Sequence, residues 1–145
     1  MVKPTSPGAF CPKAEAKTLV VANGAYGDRA AVILTKLGRP VVKIDKGDSA
    51  APTVEDVTKA LDADPSISHV WIIHCETTSG IVNPINEIAR AVKARGKAYM
   101  VDAMSSFGAV ALDMGVGMDV DVGVDMSMDM GMDMGMGVGM GMDVD

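Results

Sequence analysis

Aromatic side chains are scarce in this chain: one Trp, two Tyr and two Phe among 145 residues. Cysteine is scarcer still, and Cys11 and Cys75 stand far apart, in no CxxC or zinc-ligand spacing. That excludes a disulfide framework and predicts free thiols in a reducing compartment. No run approaches the ~20 apolar residues that a membrane span needs. The opening MVKPTSPGAFCPKAEAK lacks the apolar centre of a signal peptide. The expectation is therefore a cytoplasmic protein with no membrane partner. No basic stripe accompanies any aromatic cluster, which argues against nucleic acid as a partner.

Basic residues also stop early. Lys97 is the last Lys or Arg, and from Asp113 to Asp145 the chain uses only Met, Asp, Gly and Val apart from Ser127. The first 112 residues carry net charge +2 and the tail −8, which together give the −6 of the chain. The acidic balance thus belongs to the tail alone. Alternating Gly-Met and Asp-Met has a strand-like period, but Gly and Asp are poor strand formers, so residues 113–145 are expected to be a disordered, low-complexity tail. Its Asp and Met could offer oxygen or sulfur to a cation, yet the spacing resembles no calcium loop, and no metal site is expected.

Residues 1–17 hold three prolines and little periodicity, and read as an irregular lead-in. A regular alternation then fills 18–112, a length suited to one domain with one core. Apolar runs at Thr18–Ala22, Val41–Ile44, His69–His74 and Ala98–Asp102 predict strands, the third apolar on both faces as in a central parallel strand. Between them, Arg29–Leu37 has helical spacing closed by Gly38. Thr53 with Asp56 forms a capping pair ahead of Val54, Val57 and Leu61. Asn83-Pro84 reads as a cap followed by a first-turn proline, ahead of Ile85, Ile88, Ala89 and Val92, with Gly96 as the stop. The sum is β-α-β-α-β-α-β, which predicts an α/β fold with a mainly parallel sheet and flanking helices.

In open parallel sheets, ligands bind beyond the carboxyl ends of the strands. Three stretches lie there: Asn23-Gly24-Ala25-Tyr26-Gly27, His74-Cys75-Glu76-Thr77-Thr78-Ser79-Gly80 and Asp102-Ala103-Met104-Ser105-Ser106. Each has an ordinary structural reading as well. A Gly-rich turn after a strand is usually only a turn, and Thr-Thr-Ser is usually local backbone capping. Tyr26 reads equally as a half-buried aromatic, and His69 and His74 as structural residues. Asp102 is more telling, because a carboxylate ending an apolar strand needs a partner. A nucleotide-binding domain fits poorly, since Asn-Gly-Ala-Tyr-Gly is not GxGxxG and no Walker lysine exists.

Taken together, these three motifs resemble the class V, fold-type I aminotransferases that use pyridoxal phosphate (PLP). The run Val101-Asp102-Ala103-Met104-Ser105-Ser106-Phe107-Gly108 is similar to one branch in particular, the 2-aminoethylphosphonate–pyruvate transaminases. The motifs follow in the family's order from Thr18 to about Asp113, with Arg29 part of the same pattern. The resemblance implies that PLP is the cofactor and that Asp102 pairs with its protonated ring nitrogen. It implies that Tyr26 stacks on the ring, that Thr77 stands near the phenolic oxygen, and that Ser106 lies in the serine-bearing turn beside it. It also implies 2-aminoethylphosphonate and pyruvate as substrates and a homodimer as the assembly.

The chain departs from the family where the covalent chemistry sits. The lysine that bonds to the cofactor follows the aspartate motif by a fixed interval, and without gaps that position is Met128. Methionine cannot form an imine or carry the proton. The small-residue loop for the cofactor phosphate has no counterpart in residues 1–17, and the substrate-carboxylate arginine of the small domain has none either. The expectation is a transaminase-like piece with no catalytic residue of its own, inactive alone. The alternative is a non-catalytic α/β module that self-associates through exposed apolar edges.

Overall fold

A computed structural model describes residues 15–110. The expectations for the first fourteen residues, for Met128 and for the 113–145 tail lie outside the described residues. Along the chain the elements run β1 (Lys17–Ala22), α1 (Ala25–Lys36), β2 (Val41–Asp45), α2 (Val54–Ala63), β3 (Ile67–Ile73), β4 (Cys75–Glu76), β5 (Ile81–Val82), α3 (Ile85–Ala94) and β6 (Ala98–Asp102). Every anticipated strand and helix is present, and the short β4–β5 ladder is an addition.

The main sheet has the order β2-β1-β3-β6 and all its pairs are parallel. The chain therefore steps outward from β1 to β2, then reverses across β1 to β3 and β6. Crossovers between parallel strands keep one hand, so reversing direction moves the connecting helix to the opposite face. The packing follows that rule. Val20 of β1 meets Ala30, Ala31 and Leu34 of α1 on one face. Leu19 and Val21 meet Val57 and Leu61 of α2 and Ile88, Ala89 and Val92 of α3 on the other. That second face carries most of the core: Leu19, Ile72, Ile88 and Val92 are completely buried. Each such side chain stabilises the fold by about 1.5–3 kcal/mol relative to exposure. Tyr99 of β6 joins the same layer and donates its hydroxyl to the Ile85 carbonyl at 3.1 Å, which ties β6 to the start of α3.

Local signals act as read for α2. Thr53 Oγ1 accepts from the Asp56 amide at 3.1 Å while Asp56 Oδ2 accepts from the Thr53 amide at 2.9 Å, a reciprocal capping box. Two other boundaries depart from expectation. Helix α1 begins at Ala25 rather than Arg29, because its capping groups come from a distant segment. At α3 the cap position belongs to Pro84, and Asn83 supplies no side-chain cap. The Asn83 amide instead turns into the sheet, where Asn23 and the Ile73 carbonyl satisfy it. Among the described residues no helix is long and apolar enough to cross a membrane, and no group of three metal-ligating side chains occurs.

Candidate functional site

Reversal of strand order between β1 and β3 opens a crevice at their carboxyl ends, where the loops leaving the two strands turn toward opposite faces. Four hydrogen bonds fix the base of this crevice. The His74 amide donates to the Asp102 carbonyl at 2.8 Å, and Ser105 Oγ donates to the Cys75 carbonyl at 2.9 Å, so the turns after β3 and β6 are bonded to each other. Asn23 and Asn83 exchange side-chain hydrogen bonds at 2.8 and 3.0 Å, which locks the turn after β1 to the start of α3.

Glu76 builds the wall. Its carboxylate is fully buried, and Oε2 accepts from the Tyr26 and Gly27 amides at 3.1 Å each. Oε1 accepts from Thr78 Oγ1 at 2.6 Å and from the Thr78 amide at 3.3 Å, while Thr78 Oγ1 in turn accepts from the Ala25 amide at 2.9 Å. The first three amides of α1, orphaned in any helix, are thus satisfied from the β4–β5 hairpin about fifty residues away. Gly24 makes the approach possible: a Cβ there would lie 2.6 Å from both Glu76 Cδ and Thr78 Oγ1. Gly27 is equally constrained, because its Cβ would come within 2.8 Å of Ala22 Cα and Cβ. A helix N-terminus is a ready anion site, but at α1 the protein's own carboxylate occupies it. An exogenous phosphate has no opening there.

The resulting cleft, of about 340 Å³, is lined by the α1 stripe Tyr26, Arg29, Ala30 and Ile33, by Trp71, Ile73, Cys75 and Thr77 from β3 and its loop, and by Asp102, Met104 and Ser105 after β6. Of the four side chains singled out from sequence, Tyr26, Thr77 and Asp102 line it together. Tyr26 is 47% exposed, with its ring at the mouth. Asp102 Oδ1 accepts from the Met104 amide at 3.0 Å, an Asx turn. Among the described residues no ion pair joins its carboxylate to a basic side chain, and the one cation lining the cleft is Arg29.

Ser106 stands in the turn after Asp102 but outside the cleft lining. It is buried behind the turn, does not line the cleft, and shares a 2.8 Å hydrogen bond with His74 Nδ1. The exposed hydroxyl in the cleft is that of its neighbour Ser105. A one-residue shift in a tight turn is enough to exchange the inward and outward positions. His74 is itself buried, and that burial pushes its imidazole below the ordinary histidine pKa. The Thr77-Thr78-Ser79 run divides its work. Thr77 faces the cleft, Thr78 caps α1, and Ser79 closes its own turn on the Glu76 carbonyl at 3.3 Å. Sequence reasoning missed Glu76, although an acid within an otherwise apolar and hydroxyl loop was a signal.

Chemically, the cleft offers an apolar and aromatic wall that suits a flat ring, a carboxylate at its floor that can hold a proton on a basic ring nitrogen, and a hydroxyl at its edge. No lysine lines it. Lys97, the last lysine of the chain, immediately precedes β6 and bonds the Pro65 carbonyl at 2.8 Å, at the opposite edge of the sheet from Asp102. At about 3.3 Å per residue, the five residues of β6 separate the two edges by roughly 15 Å.

Comparison with known proteins converges on one family. The family model for aminotransferase class-V matches residues 8–127. A 2-aminoethylphosphonate–pyruvate transaminase of Rhizobium meliloti (strain 1021) is 54% identical over 108 residues, covering 74% of this chain and 28% of the relative. Its counterpart in Syntrophobacter fumaroxidans is 47% identical over 100 residues, covering 69% of this chain and 27% of the relative. Among solved structures, a pyridoxamine-pyruvate aminotransferase from Mesorhizobium loti matches with a TM-score of 0.66 at 31% identity, over 71% of this chain and 26% of that one. An alanine–glyoxylate aminotransferase from Nostoc sp. shares the fold, with a TM-score of 0.64 at 22% identity over 69% of this chain and 26% of that one. The chain spans little more than a quarter of the length of the curated relatives it matches.

Proposed function

We propose, from the premise that this chain belongs to the class-V aminotransferase family, that its cleft is the ring-binding half of a PLP site. The reaction served is amino transfer from 2-aminoethylphosphonate to pyruvate, giving phosphonoacetaldehyde and alanine. When bound, PLP supplies the electron sink that lets an amino group leave one carbon and join another. The residues of this chain bind and orient it. Asp102 holds the proton on the ring nitrogen, Tyr26 covers the ring face, and Thr77 addresses the ring's oxygen edge. Ser106 acts at one remove, through His74 and the turn that carries Asp102.

The observation that carries this reading is the Asp102 carboxylate, bonded through one oxygen to a backbone amide and lining the same cleft as Tyr26 of α1. The 145 residues include no lysine beyond Lys97, so the chain binds its cofactor without a covalent link and does not turn over alone. Trp71 is the one tryptophan and lines the cleft, which makes its fluorescence a built-in reporter. Pyridoxamine phosphate, which needs no lysine, should quench it saturably in the wild type and about tenfold more weakly in Asp102→Ala, the loss of one charge-assisted hydrogen bond. Equal affinity in the two proteins would remove the cleft as the ring site.

A second reading, self-association, draws on one observation. Helix α1 exposes Val32 and Ile33, its C-cap exposes Leu37, and the turn after β6 exposes Met104 and Phe107. Apolar surface of this kind, beside the edge strand β6, suits a contact with another copy. Sedimentation over a range of concentrations tests it, and a monomer at all of them would dismiss it.

A further inference from the structure

We propose that Glu76 is a positioning residue for the cleft, one carboxylate that clasps the α1 turn bearing Tyr26 to the hairpin bearing Thr77. The proposal rests on the ring-binding reading above, but the clasp has its own signature without ligand. A wholly buried carboxylate is costly unless every lone pair is engaged. Glu76 meets that condition using donors from these two segments only: the Tyr26 and Gly27 amides on one oxygen, and the Thr78 amide and hydroxyl on the other. Tyr26 therefore hangs from a backbone atom that Glu76 holds. Thr77 lies between Glu76 and Thr78, both of which are fixed by the same bonds.

Simple helix capping does not explain the arrangement. A Ser or Asp at position 24 would cap α1 locally, yet the position is Gly24, with no side chain and no room for one against Glu76. The local cap is absent and the remote one is present, and the remote one alone couples two walls of the cleft. In the described chain this coupling crosses from β1 to β3, the two strands between which the cleft opens.

The test compares the purified chain with Glu76→Gln, Glu76→Ala and the core control Val57→Ala, which lies on the far face of the sheet. Glutamine keeps the reach but has one acceptor oxygen, so E76Q serves where E76A does not fold. Two readouts are taken: amide exchange at Ala25–Gly27 and at Thr77–Ser79 without ligand, and Trp71 quenching by pyridoxamine phosphate. The clasp requires exchange to rise about tenfold in both segments together, with affinity weakened about tenfold, while V57A moves neither selectively. A rise confined to α1, or an unchanged affinity in a folded Glu76 variant, overturns it. If the wild type itself shows no quenching, the ring-binding reading fails. The paired exchange then decides the clasp alone.

Discussion

Asn23 and Asn83 hold each other's side-chain amides across sixty residues, at 2.8 and 3.0 Å, and both are buried. A reciprocal pair of this kind specifies register as well as energy, because each amide has one orientation that satisfies both partners. Truncating Asn23 to Ala leaves the Asn83 oxygen unpaired and should cost about 1–3 kcal/mol. Asn83→Ala should cost more, because Asn83 Nδ2 also bonds the Ile73 carbonyl at 2.8 Å. The double variant should lose less than the sum of the two. Urea midpoints of the four proteins check this, and strict additivity would mean the pair is not coupled.

Gly27 lies inside α1, where replacing glycine by alanine ordinarily stabilises a helix by roughly 1 kcal/mol. Here the sign should reverse. The new Cβ would press on Ala22 Cα at 2.7 Å, a backbone atom of the central strand β1 that cannot swing aside. Gly27→Ala should therefore destabilise the chain by about 1–3 kcal/mol, the range for overpacking. A thermal midpoint at or above that of the wild type would show that α1 lifts from the sheet at little cost.

These two positions explain what the sequence could and could not disclose. Strand and helix order was legible because β1, β3 and β6 are short apolar runs, and α2 and α3 have strict helical spacing. The start of α1 was not legible. Gly24 and Gly27 read as turn residues, and the groups that let the helix begin there reside in Glu76 and Thr78, about fifty residues on. Asn83-Pro84 misled for a related reason: a good capping residue was taken up by a nonlocal partner. Strand-end logic put three loops at one edge of the sheet, and the family resemblance singled out Tyr26, Thr77 and Asp102 within them. Which serine of that turn faces the cleft was not legible, because a one-residue choice depends on packing, here the buried bond of Ser106 to His74.

Lysine placement yields a third prediction. Among the described residues no lysine lines the cleft, Lys17 is engaged with Asp64 at 2.8 Å, Lys46 with Asp56 at 2.9 Å, and Lys97 sits at the opposite sheet edge. Borohydride reduction in the presence of PLP should leave no lysine modified stoichiometrically, only scattered partial labelling at exposed amines. Peptide mass mapping reads this directly. One site carrying a full equivalent would mean that a lysine reaches the cofactor, and the expectation of an inactive chain would have to be withdrawn.

Stability should follow a dome in pH, and the cause of each limb can be named. Burial lowers the pKa of both His69 and His74 below 6.5. The unfolded chain then binds protons that the folded chain refuses, so stability is complete above about 6.5 and falls as pH drops below it. Asp56, Asp62 and Asp64 are also lowered from 3.8 by their hydrogen bonds, Asp64 to about 2 beside Lys17. They add a second acid limb below that point, a shallow one because they are screened surface groups. On the alkaline side, burial raises the Tyr99 hydroxyl above 10.0, so stability present below that pH is lost as pH rises through it. Urea midpoints from pH 3 to 11 trace the three limbs. His74→Asn should shrink the step below 6.5 to the part that His69 contributes and leave the other two in place. A midpoint that rises between pH 7 and 5 would mean His74 is charged in the fold, and its bond to Ser106 would then be that of an imidazolium.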